Sequence, residues 1–126
     1  MSADQTREIA EKLVDYCRRD DTYAGLEALY AADAVSVEAA EQEGGGPRVT
    51  EGRDGIKGKH DWWAENFEVH GAAVDGPFLH GEDRFGVIFE MDATHKASGH
   101  RAAMKEIGIY TVANGKIVRE EFFYTM

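Results

Sequence analysis

From Val69 to Tyr124 the chain reads as a nearly unbroken series of strands with short turns, and its helical periodicity lies before that point. The strand segments are Val69 to Val74, Phe78 to Leu79, Arg84 to Asp92, Ala102 to Val112 and Lys116 to Tyr124. Helices first and meandering strands afterwards predict helices packed on one face of a largely antiparallel sheet, an α+β architecture. Such a sheet, if curled, encloses a cavity.

The helical part supports this order. Ser2 with Gln5 fits a capping box, after which Ile9, Leu13 and Cys17 recur at four-residue spacing, giving an amphipathic helix that ends near Arg18. Asp20 to Thr22 supply turn and capping residues for a short second helix carrying Leu26, Leu29 and Tyr30. Residues Ala34 to Ala40 alternate as a first strand, with Val35, Val37 and Ala39 on one face and Ser36 and Glu38 on the other. Glu41 to Arg48 contains Gly44, Gly45, Gly46 and Pro47, which predicts a mobile surface loop. A third helix spans Arg53 to Phe67, where Ile56, His60, Trp63 and Phe67 share one face and Trp62 points away.

A length of 126 residues with 43% hydrophobic content suits one domain with a real core, residues 1–126. The 24 Asp and Glu against 14 Lys and Arg give a net charge of -10, which repels nucleic acid and anionic membrane. No apolar run is long enough to span a bilayer, and Met1 to Glu8 has neither a basic lead nor an apolar stretch, so the expected location is the cytoplasm. Cys17, the single cysteine, is expected to pack as a small hydrophobe.

The Asn114-Gly115 hairpin allows faces to be assigned. A three-residue loop, Ala113 to Gly115, pairs Val112 with Lys116. Met104, Glu106, Gly108 and Tyr110 then share a face with Val118, Glu120, Phe122 and Tyr124, whereas a two-residue loop would flip one strand. If this face lines the cavity, Phe85, Val87, Phe89, Met91, Trp63 and Phe67 wall a mixed apolar and acidic pocket for a small apolar molecule. A carboxylate there loses hydration, which raises its pKa toward the range useful for proton transfer. The opposite face offers Ile107, Ile109, Ile117 and Phe123, apolar enough to predict a homodimer through the sheet.

Three stretches carry a family resemblance: Leu29-Tyr30-Ala31-Ala32-Asp33-Ala34, Glu51-Gly52-Arg53-Asp54-Gly55-Ile56, and Tyr110 to Val118. In their order and spacing the chain resembles the SnoaL-like branch of the ketosteroid isomerase-like, or nuclear transport factor 2-like, superfamily. The resemblance implies a cystatin-like cone, three N-terminal helices packed on a strongly curved, mixed but mostly antiparallel sheet. It also implies sheet-to-sheet homodimers.

The resemblance places the isomerase-like general base at Glu38; the other reading is a solvated carboxylate at the rim. It places Glu106 close to the protonated acid of an oxyanion hole. The isomerase phenol falls nearer Leu13, one turn before Tyr16, so Tyr16 is either a hydrogen-bond donor to ligand or a packing residue. The acid that cyclases of this branch carry on the final strand corresponds to Phe122, a departure that counts against cyclase chemistry; Glu120 is the substitute acid or a solvated strand-end residue. His70 is a proton-transfer partner at the pocket mouth or a structural histidine. None of His60, His70, His80, His95 and His100 has zinc-ligand spacing, so neither metal nor cofactor is expected. Three functions remain in view: a cofactor-free isomerase, cyclase or hydratase, a noncatalytic ligand-binding module, and a dimeric interaction domain.

Overall fold

Ser2 caps the first helix in both directions, accepting the Gln5 amide while the Gln5 side chain takes the Ser2 amide at 2.9 Å. The computed structural model describes residues 2–41 and 47–124; the glycine run at 44–46, expected to form a loop, lies outside the described residues. Three helices result, α1 (Ala3–Arg18), α2 (Thr22–Leu29) and α3 (Arg53–Asn66). They precede or interrupt six strands, β1 (Tyr30–Val37), β2 (Val49–Glu51), β3 (Phe67–His80), β4 (Arg84–His95), β5 (Arg101–Ala113) and β6 (Lys116–Phe123). The sheet order is β2-β1-β6-β5-β4-β3, with β1 parallel to β6 and every other pair antiparallel. This is the mixed, mostly antiparallel α+β arrangement expected from the sequence.

One face of the sheet carries the helices, α1 over β3 and β4 and α3 over β1. The core lies between the layers, where Ile9, Leu13, Leu26, Ile56, Phe85, Val87, Val112 and Ile117 are buried together. Gly25 lets α2 approach α1, because a Cβ there would stand 3.0 Å from the Cβ of Tyr16. Arg18, at the end of α1, donates to the Val74 carbonyl at 2.9 Å and pins the helix to β3.

Several element boundaries differ from the sequence expectation. Tyr30 opens β1 instead of closing α2, since its backbone is already extended (φ -92, ψ 141) and its ring is buried. β1 stops at Val37, short of Ala40, and pairs with the unforeseen β2, whose three residues are too few to show alternation. α3 stops at Asn66, because Phe67 is extended and begins β3. β3 continues past Gly76-Pro77, where two strands were expected and where its pairing with β4 shifts register; as a sheet edge it tolerates the missing proline N–H.

The last hairpin corrects the expected register. Asn114 (φ 52) and Gly115 (φ 78) form a two-residue turn in which Ala113 pairs with Lys116. Alone this would throw β6 onto the opposite face. A shift between Thr111 and Val112 inserts Val118 as an extra residue and restores the face, so Tyr110 pairs with Glu120 and Gly108 with Phe122. Ile117 precedes the irregularity and faces the core, fully buried, rather than the outer surface where it was expected. Val118 is the inserted residue, not a regular member of the inner row.

Candidate functional site

Strand register lines up Phe85, Tyr110, Glu120 and Ser36 across four neighbouring strands. Glu120 is only 2% exposed, which costs a carboxyl its hydration unless donors replace it. Tyr30 donates to Glu120 Oε2, and Ser36 contributes a second side-chain hydrogen bond. Burial pushes the Glu120 carboxyl above the usual carboxylate range while these bonds pull it back. Tyr30 and Tyr110 share a hydrogen bond, and both phenols are held well above their ordinary value, first by burial and then by the Glu120 charge.

The chain of contacts continues onto α3. Lys59 Nζ donates to Ser36 Oγ at 2.7 Å and stands 2.6 Å from Glu38 Oε1, while Tyr124 donates to Glu38 Oε2 at 3.0 Å. Burial, then the Glu38 charge, raises the Tyr124 phenol. One polar network therefore joins Tyr110, Tyr30, Glu120, Ser36, Lys59, Glu38 and Tyr124. Ser36 on β1 and Glu38, one residue past its end, share the side that faces inward.

Glu106 adjoins this network without a side-chain hydrogen bond to it among the described residues. Its carboxyl is pushed up to about 7 by burial, reinforced by the charges of Glu38 and Glu120 and opposed by Lys59. Around it on the inner face, Phe89 pairs with Glu106 and Met91 with Met104, while Phe122 follows Glu120 on the same side of β6. All of these stay partly exposed. Phe85 and Tyr110, expected as pocket lining, are buried in a parallel stack at 5.0 Å, with Phe122 edge-on to Tyr110. They fill the floor of the space expected to be empty.

The surface has a polar concavity between Glu82-Asp83 and Ala113-Asn114, and a groove of about 430 Å³ on the outer sheet face lined by Phe78, Leu79, Ile88, Ile107 and Ile109 among others. Neither is the inner pocket expected from the sequence. Trp63 and Phe67 stack at 4.1 Å, and Phe67 pairs with His95, so this aromatic group stands at the far end of β4, beyond Met91. Trp62 does not point away: it meets the same Phe67 ring edge-on at 5.9 Å.

Two other candidates are not gathered with the carboxyl groups. Tyr16 lies against Gly25 with the Arg19 guanidinium 4.9 Å over its ring. Burial pushes the thiol of its neighbour Cys17 up to about 11, and the Glu120 charge adds to this. His70 is exposed where β3 shifts register, and its Nε2 lies 2.7 Å from Thr94 Oγ1. Sequence reasoning missed Lys59, Tyr30 and Ser36. The available signal for Lys59 was its position, three residues after Ile56 and four before Trp63, on the apolar stripe of α3.

On the outer face Ile88 pairs with Ile107 and Ile107 with Phe123. Ile107 is 36% and Phe123 50% exposed, an apolar row facing away from the helices. No helix among the described residues is long and apolar enough to cross a membrane.

Comparison with known proteins agrees with this geometry. The profile of the SnoaL-like domain family matches residues 4–124. A Mesorhizobium loti protein provisionally described as a SnoaL-like polyketide cyclase is 41% identical, with a TM-score of 0.86 over 94% of this chain and 97% of that one. A Bacillus subtilis protein provisionally described as an isomerase shares the fold at 18% identity, TM-score 0.75, over 99% of this chain and 90% of its own. So does a Mycobacterium tuberculosis protein crystallised with estradiol-17beta-hemisuccinate, at 15% identity and TM-score 0.73, covering 100% of this chain and 96% of its own. No curated protein matches the sequence.

Proposed function

Since the chain belongs to the SnoaL-like domain family, we propose that it holds a small apolar molecule on the inner sheet face and moves a proton on it, as a cofactor-free isomerase, cyclase or hydratase. The observation that carries this reading is the set of three carboxyl groups, Glu38, Glu106 and Glu120, gathered beside the partly exposed Phe89, Met91 and Phe122. Glu106 at about 7 is matched to giving or taking a proton near neutral pH. Glu38, tied to Lys59 and Tyr124, orients the polar end of the site. Glu120 is enclosed and supports Tyr30 and Ser36 from below.

The protein acts as one domain in the cytoplasm, where a lone thiol such as Cys17 stays reduced. Two copies pair through the outer row of Ile88, Ile107 and Phe123. The Mycobacterium tuberculosis relative of the same fold suggests rigid, steroid-sized esters as first probes.

The test is a ligand and turnover screen of the parent beside Glu38→Gln and Glu106→Gln. Loss of turnover in Glu106→Gln with binding retained supports the reading. Variants that both bind and turn over like the parent would show the site to be assigned wrongly. A parent that binds ligand while no reaction follows would favour the noncatalytic binding module.

A further inference from the structure

Lys59 sits on the apolar stripe of α3, where an ion pair carries a desolvation cost that a methionine between Ile56 and Trp63 would avoid. Its ammonium has three N–H donors. One is given to Glu38 Oε1 at 2.6 Å and one to Ser36 Oγ at 2.7 Å; the third has no hydrogen-bond acceptor among the described residues. Both acceptors belong to the β1 side of the inner face, while the ammonium stands 5.6 Å over the ring of Phe122 on β6. The side chain keeps 22% exposure, so it borders the accessible part of that face.

We propose that Lys59 is a specificity-determining residue, giving its third N–H to a carbonyl or carboxylate oxygen of the ligand whose apolar body rests on Phe89 and Phe122. This rests on the reading of the inner face as the ligand site. Glu38 and Ser36 fix the ammonium from one side, so the donor is oriented before a ligand arrives, which lowers the ordering cost of binding. A hydrocarbon of the same shape leaves that donor without a partner, and a ligand amine meets like charge. The inner face therefore discriminates by oxygen, not by apolar area alone.

The experiment compares 2-acetylnaphthalene with 2-ethylnaphthalene, the same bicyclic body with and without the oxygen, by ligand-observed NMR titration. A hydrogen bond to a charged donor predicts that the parent prefers the ketone about tenfold or more. Lys59→Met should bind both alike, and Lys59→Arg should keep the preference. An unchanged preference in Lys59→Met overturns this inference and leaves the ligand site standing. A parent that binds both probes equally also overturns it, whether or not Lys59→Met folds. If the parent binds neither probe, this inference and the ligand reading fall together.

Discussion

Glutamine at position 106 keeps the shape of the side chain and removes its charge, so comparison with the parent isolates what ionisation of this carboxyl costs the fold. Burial and the charges of Glu38 and Glu120 place its titration at about 7, against 4.5 for an exposed glutamate. Each pH unit of that gap corresponds to about 1.4 kcal/mol. Discounted for the part of the side chain that solvent reaches, ionisation costs about 2 to 3 kcal/mol. The folded-state value lies above the unfolded one, so the folded chain holds the proton more tightly. This contribution is fully present below about pH 4.5 and is lost as pH rises through about 7. Urea unfolding, followed by the fluorescence of Trp62 and Trp63, should show the parent losing about 2 to 3 kcal/mol relative to Glu106→Gln between about pH 4.5 and pH 8.5. A parent-to-variant difference that stays flat across that window would refute the burial of Glu106 beside two other carboxyl groups.

Tyr30→Phe removes a donor from enclosed Glu120 and should cost about 1 to 3 kcal/mol in thermal or urea unfolding; an unchanged midpoint contradicts the network. Gly108→Ala places a Cβ 3.0 Å from the Tyr110 ring and 3.1 Å from the Phe122 ring, which predicts a loss of about 1 to 3 kcal/mol and changed aromatic proton shifts. Phe123→Lys puts a charge in the exposed outer row and should halve the mass seen by light scattering with the circular dichroism unchanged. A parent already monomeric would remove the proposed dimer.

The fold was legible because its signals are local and repeated: the Ser2 capping box, the four-residue spacing of Ile9, Leu13 and Cys17, and the alternation of β4 to β6. Apart from Val118 itself, the inner face of β5 and β6 matches the expectation in spite of a wrong loop length, since the inserted Val118 cancels the effect of the two-residue turn. Ile117, on the near side of that irregularity, was misplaced for the same reason. A compensating bulge leaves no periodic trace in sequence.

The site was legible in its acids but not in what binds them. Glu106 follows from strand parity, and Glu38 from the family resemblance, since alternation alone does not say that the Ser36 side of β1 faces inward. Lys59 does not, because a lysine in a helix with Lys57 nearby reads as solvated until the strand bearing Ser36 and Glu38 is known to face it. Tyr30 was hidden by the helix signal of Leu26 and Leu29, which runs into the first residue of β1. The register change between Val69 and Gly71 sets His70 beside Thr94, a distortion that alternation cannot reveal.

If the inner face beside Glu106 and Lys59 receives the ligand, a bound molecule should be found there. A crystal structure with bound 2-acetylnaphthalene tests it most directly. The rings should lie against Phe89 and Phe122, with the ketone oxygen within hydrogen-bond distance of Lys59 Nζ. Density instead in the outer groove, between Phe78 and Ile107, would contradict it.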